Sequence, residues 1–275
     1  MALKGLICAG GEATRLGELT QITNKHLLPV GEWPMIYYAL ELFQLAGVTE
    51  VLIITGHHHG GDFMRLLGDG KRRRRDNGER LFDLDLTYKV QTSPGGIAQV
   101  VGMAEQFAAG GKIVVCLADN VFQYAPLDAI WRFAEEQTSG AMVFVKDVPD
   151  PERFGVAVFD AEGKLTDVVE KPGRVDLRFD RPPSAYAITG LYCYDADVYD
   201  IVRSLKPSSR GELEISDVNR TYIARGDMTY EVVSGWWKDA GTPKGLTELG
   251  LLVERDGANR VAPETRLQGP RLPRR

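Results

Sequence analysis

The 275-residue sequence predicts an α/β fold on a mainly parallel sheet, and three observations carry that prediction. Short β-rich apolar runs alternate with helix-patterned segments through the first half, as in successive βαβ units. The first run ends in an adjacent pair, Gly10 and Gly11, where a strand can turn sharply into the next segment. With 44% hydrophobic and 26% charged residues, the chain can bury a full core.

In chain order, strands are expected at residues 3–8, 50–55, 85–91, 112–117 and 141–145. Between them, "PMIYYALELFQLAG" reads as a helix with Pro34 at a first-turn position and a stop at Gly47. Residues 97–107 and 127–137 carry the same helical pattern. The second half changes rhythm. "GVAVFD", "KLTDVVEK", "YAITGLYCYD" and "MTYEVV" are strand-like, with "DADVYDIVRSL" and "ELEISDVNRTYIARG" as helices among them. Residues 172–184 read as a loop and 264–275 as a frayed end. No internal repeat is present, and no linker composition marks a boundary. The expected organisation is one domain over 1–250, with halves at about 1–146 and 147–250, then a helix end and flexible tail over 251–275.

The net charge of −5 argues against a general nucleic-acid binder, which depends on excess Lys and Arg to neutralise phosphate. Cys8, Cys116 and Cys193 each sit in an apolar, strand-like segment, and an odd count without short spacing supports neither a disulfide framework nor a zinc knuckle. The first apolar stretch is too brief for a signal peptide and is interrupted by Lys4. No segment reaches the roughly 18 apolar residues that span a bilayer. The expectation is a soluble cytoplasmic protein with no membrane partner.

The glycine pair opens "AGGEATRL". Bare backbone there brings N–H groups close to an anion, with Arg15 just beyond. Neither the P-loop spacing nor the dinucleotide glycine fingerprint is present, which removes an NAD-linked dehydrogenase. By itself a glycine turn after a first strand is common to α/β proteins. A longer stretch, "GLICAGGEATRLGELTQITNKHLLPVGEWPMIYYALE", resembles the start of the sugar-1-phosphate nucleotidyltransferase family, whose signature is G-G-x-G-T-R-L followed by K-x-L-L-P-[VI]-x-x-x-P-M-I. The resemblance continues in register through "YKVQTSPGGIAQV", "LADNVF", "DPERFGVAVFD", "VVEKP", "YAITGLYCYD", "LKPSSRGELEISDVNR" and "WWKDAGTP", to about residue 245. Within the family the thymidylyl-transferring group matches best, on the "GELEISDVNR" run.

The resemblance implies a Rossmann-like nucleotidyltransferase fold, with a mixed, mainly parallel central sheet flanked by helices. It also implies Mg²⁺-dependent transfer of a deoxythymidylyl group from dTTP to glucose 1-phosphate, giving dTDP-glucose and pyrophosphate. Uridylyl transfer, or another sugar 1-phosphate, is the enzymatic alternative; an inactive sugar-nucleotide-binding regulatory subunit is the non-enzymatic one. Carried onto this sequence, the family's catalytic residues are Arg15, Lys25 and Asp119, and its metal ligands are Asp119 and Asp239. Nucleotide would be bound by Ala9, Gly10, Gly11, Thr14, Arg15, Gln91 and Gly96. The sugar phosphate would be bound by Gly155, Glu170, Lys171, Tyr186, Thr189 and Arg210. These residue types suit the chemistry. Two polyanions must be brought together, so cations, a divalent ion and positioning do the work, and the absence of a nucleophile–base triad is expected. Without the family pattern, Lys25 is a loop lysine, Asp119 a strand-end turn former, Asp239 a helix cap, and Glu170 with Lys171 a surface ion pair.

Three departures stand out. Ala13 replaces the family's third glycine, at a cost of roughly 1–2 kcal/mol if that backbone is left-handed. Cys8 replaces a leucine on the strand lining the base pocket. Residues 68–85, with five consecutive cations, read as an inserted, solvated loop. The chain also ends earlier than short-form family members, so their regulatory site and C-terminal tetramer contacts are not carried over; a homo-oligomer is left open. Three adjacent histidines in "GHHHGGD" lack converging ligands for zinc.

Overall fold

Alternate residues of the first strand, β1 (Lys4–Ala9), enter opposite hydrophobic layers: Leu6 and Cys8 face one, Ile7 and Ala9 the other. The same alternation holds in β4 (Glu50–Gly56), with Leu52 and Ile54 against Val51 and Ile53. It recurs in β6 (Ile113–Leu117), with Ile113 and Val115 against Val114 and Cys116. A sheet buried on both faces needs such unbroken apolar runs, and helices cover it on either side. This computed structural model describes residues 2–11, 14–74, 77–263 and 265.

After β1 come the short hairpin β2 (Pro29–Val30) and β3 (Trp33–Pro34), α1 (Ile36–Leu45), then β4, α2 (Gly60–Leu67), β5 (Asp85–Gln91), α3 (Ile97–Met103) and α4 (Glu105–Ala108). Following β6 are β7 (Asn120–Phe122), α5 (Leu127–Glu135), β8 (Ala141–Asp147), β9 (Gly155–Phe159), β10 (Leu165–Glu170) and β11 (Tyr186–Tyr194). The chain closes with α6 (Val198–Ser204), α7 (Ile215–Arg225), β12 (Met228–Val232), β13 (Trp237–Asp239) and α8 (Pro243–Asp256).

β1 pairs in parallel with β4 and β6, and β4 with β5, giving the parallel half. β11 then runs antiparallel to β6, β8 and β9, β10 pairs antiparallel with β9, and β12 lies parallel beside β8. The sheet is therefore mixed. Its two faces are packed by α1, α2 and α5 on one side and by α3, α6 and α7 on the other. A smaller cluster of Val30, Met35, Tyr38, Val121, Ala240 and Leu249 docks α8 against the hairpin and β7. No helix among the described residues is long and apolar enough to cross a membrane.

The expected elements shift in two places. Pro34 does not start a helix: it pairs with Pro29 in the hairpin, and the Met35 N–H donates to the Leu28 carbonyl before α1 begins at Ile36. The helix expected over 97–107 is divided at Ala104, whose N–H bonds back to Val101 in a tightened turn. The three cysteines are free and buried. In the basic insertion, Arg73 and Arg80 form an antiparallel bridge, while Lys71 reaches Asp83 and Asp85. Ala13 and, apart from Thr265, the tail 264–275 lie outside the described residues.

Candidate active site

The turn after β1 runs across the ends of β4 and β5. A β-carbon on Gly10 would lie 2.6 Å from Gln91 Oε1, and one on Gly56 would lie 3.0 Å from the Gly10 carbonyl, so the turn packs closely on these strand ends. At Gly11, in contrast, nothing lies within 4 Å of that position, and the backbone is open to an incoming group.

The loop beyond is tied back onto this turn. Asn24 Nδ2 donates to the Ala9 carbonyl at 3.3 Å, and Asn24 Oδ1 accepts from the His26 N–H at 3.0 Å and meets its ring Nδ1 at 2.7 Å. His26 is 2% exposed; burial, reinforced by the Lys25 charge, pushes its imidazole down to about 3, so it stays neutral. Lys25 between them is thereby aimed at Asp119, with which its ammonium forms a short ion pair across 94 residues of sequence. Those side chains are 12% and 10% exposed.

Asp119 follows β6 at its C-terminal end, where open α/β sheets gather ligands. Burial opposes its ionisation, yet Lys25 and the Asn120 amide, donating at 2.9 Å, hold it well below the usual carboxylate range. Antiparallel pairing of β13 with β7 sets Asp239 opposite Asn120, and the Ala240 N–H donates to the Asp119 carbonyl at 3.0 Å. The two aspartates expected to share a metal are thus brought together. Burial and then the Asp119 charge raise the Asp239 carboxyl above its ordinary value, against the pull of Lys25, Arg153 and Arg15. Asp239 does not cap α8; Thr242 does, accepting from the Gly245 N–H at 3.1 Å.

Arg15 lies on the same side of the site, where its charge bears on Asp239. A β-carbon on Gly241 would sit 2.8 Å from Arg15 Nη2 and 3.0 Å from Asp239 Oδ2, so the bare backbone at 241 makes room for both. Gln91 ends β5, is 9% exposed, and donates from Nε2 to Gln99 Oε1 at 2.6 Å. Gly96 has φ +88°, and a side chain there would strike the Leu213 carbonyl at 2.4 Å; glycine is required by the fold itself.

A second cluster forms where β9 and β10 pair Gly155 with Glu170. Glu170 accepts a short hydrogen bond from Ser216 and pairs with Lys171 at 2.9 Å and Arg210 at 3.9 Å. Burial opposes its charge, but Lys171, Ser216 and Arg210 together hold it below its ordinary value. Arg210 also makes a two-pronged contact to buried Glu214, at 3.2 and 2.7 Å. Lys171 has a left-handed backbone, φ 42°, with its N–H on the Phe154 carbonyl. Thr189 is fully buried in β11, whereas the Tyr186 ring packs edge-on against Phe159, at the other end of β9 from Gly155.

The sequence did not single out Asn24, His26, Asn120, Arg153, Ser216 or Gly241. Asn120 Oδ1 accepts from the Gly190 N–H and Trp237 Nε1, joining β7, β11 and β13, and Arg153 Nη2 lies 3.5 Å from Asp239. Asn24 and His26 form one local unit, an Asx-turn residue two before the histidine; Asn120, Arg153, Ser216 and Gly241 meet their partners across long stretches of sequence.

The family model for nucleotidyl transferase matches residues 4–255. Glucose-1-phosphate thymidylyltransferase of Xanthomonas campestris pv. campestris (strain B100) is 42% identical over 267 residues, covering 95% of this chain and 85% of that protein. The protein of the same name from Neisseria meningitidis serogroup A is 40% identical, covering 92% and 83%. A Bacillus anthracis protein assigned as a glucose-1-phosphate thymidylyltransferase, crystallised with sucrose, superposes with a TM-score of 0.81 at 43% identity, covering 92% and 96%. A UDP-glucose pyrophosphorylase bound to UDP-glucose shares the fold, with a TM-score of 0.79 at 24% identity over 93% and 99%.

Proposed function

We propose that this chain, which belongs to the nucleotidyl transferase family, transfers a deoxythymidylyl group from dTTP to glucose 1-phosphate, giving dTDP-glucose and pyrophosphate. The observation that carries the reading is the convergence of Arg15, Lys25, Asp119 and Asp239 beside the glycine turn. A phosphate monoester, with its second pKa near 6, is already largely ionised at neutral pH, so the nucleophile needs no general base. What it needs is relief of repulsion from the triphosphate. Arg15 and Lys25 supply fixed positive charge for that, next to open backbone at Gly11.

Two carboxylates, one raised by burial and by the charge of the other, make an all-oxygen pair that a hard divalent cation would relieve, and the donor set fits Mg²⁺. Held by Asp119 and Asp239, Mg²⁺ would neutralise charge on phosphate oxygens. Gln91 and the Gly96 backbone read the base edge in this assignment. Glu170, kept ionised, accepts from sugar hydroxyls, while Lys171 and Arg210 face the sugar phosphate; Gly155 and Thr189 belong to the same side.

A glutamine amide reads the imide that thymine and uracil share and does not sense the 5-methyl group, so uridylyl transfer is the second reading. Pyrophosphate release measured for each nucleoside triphosphate with a panel of sugar 1-phosphates and Mg²⁺ separates them. The expected result is highest turnover with dTTP and glucose 1-phosphate. Asp119→Asn is expected to lower turnover by a factor on the order of 10² or more with the circular dichroism spectrum retained. Release with no pair, or an active Asp119→Asn variant, overturns the assignment.

A further inference from the structure

We propose that Gln99 is a positioning residue that sets base selection by fixing which way the Gln91 amide faces; this rests on the thymidylyl reading of the site. A glutamine amide turned by 180° keeps its shape but exchanges donor and acceptor. With one N–H given to a neighbour, the amide keeps its carbonyl and one N–H as a two-point reading edge. In one orientation that edge matches the imide of thymine or uracil, a ring N–H beside a carbonyl. In the other it matches cytosine, a ring acceptor beside an amino group.

The structure shows the Gln91 amide in one orientation. Gln91 is 9% exposed, its Nε2 donates to Gln99 Oε1 at 2.6 Å, and its Oε1 faces the Gly10 turn. Turning Gln91 alone would oppose two carbonyl oxygens at hydrogen-bond distance in a largely buried place, an unfavourable arrangement. Gln99 projects from α3, one turn beyond Gly95, and a β-carbon at 95 would lie 2.5 Å from its amide. The "GGIAQ" spacing thus holds the space that lets residue 99 reach residue 91.

The test is the ratio of kcat/KM for dTTP over dCTP, with glucose 1-phosphate and Mg²⁺. Gln99→Glu has only acceptors, so it keeps or raises the wild-type ratio. Gln99→Lys has only donors and draws the Gln91 carbonyl toward itself, so the ratio falls at least about tenfold, with dCTP use rising. Gln99→Leu removes the lock without supplying a donor, lowers the ratio at least about threefold, and serves where the lysine variant does not fold. A ratio unmoved in Gln99→Leu and Gln99→Lys, in a wild type that prefers dTTP, overturns the role of Gln99 alone. A wild type that prefers dCTP or a purine triphosphate overturns the thymidylyl reading and this proposal with it.

Discussion

Asp119 and Asp239 are chemically alike and differ only in company. Asp119 has Lys25 and the Asn120 amide against it and is held charged, whereas Asp239 feels burial and Asp119 first and is raised. The site thus holds a like-charge pair offset on one side by an ammonium and on the other by Arg15 and Arg153. His26 makes that balance workable, because a second cation beside Lys25 would compete for the same carboxylate. Its imidazole titrates at about 3 in the fold and near 6.5 when unfolded, so between these values only the unfolded chain takes up the proton. Its contribution to stability is complete above pH 6.5 and is lost as the pH falls from 6.5 toward 3. Urea midpoints should therefore drop from pH 7.5 to 4.5 more steeply in the wild type than in His26→Gln. Parallel profiles would show that residue 26 is not the titrating group.

Two short elements assemble what the main sheet does not. The β7–β13 ribbon brings residues 119 and 239 together, and Ala240–Gly241–Thr242 turns directly into α8, whose first residue, Pro243, needs no N–H partner. Gly241 carries no positive φ, so its constraint is space for Arg15 and Asp239 rather than backbone shape. Gly241→Ala should lower kcat/KM roughly tenfold or more by displacing the guanidinium. The urea-derived stability should change by less than about 1 kcal/mol. A large stability loss with kcat/KM unchanged would reverse that reading. At this scale the sequence was legible where periodicity is local: β5 was expected and found over the same residues, 85–91, and α7 ends on the left-handed Gly226. It misread Pro34, which suits a first helical turn as well as a hairpin edge. Only the pairing with Pro29 distinguishes the two.

The whole molecule places a parallel half, with the glycine turn, beside an antiparallel half that carries Glu170 and its partners, joined by the β6–β11 pairing. Ligands that bind this fold and not the unfolded chain should stabilise it by mass action, about 2.7 kcal/mol at a hundredfold excess over Kd. Calorimetry should show a higher Tm with dTTP plus Mg²⁺ than with dTTP plus EDTA, and Asp239→Asn should abolish the difference. Equal shifts with and without the metal would remove the assigned carboxylate pair. The sequence by itself determined the layered α/β architecture, because strand and helix periods are written in consecutive residues. It also determined the family and put Arg15, Lys25, Asp119 and Asp239 forward as candidates, because their motifs are contiguous. Only the tertiary structure decided what surrounds them: a neutral His26, a lock from Gln99, room at Gly241, and Tyr186 turned to Phe159. Those depend on side chains far apart in the chain meeting in a low-dielectric cleft, which no local pattern encodes.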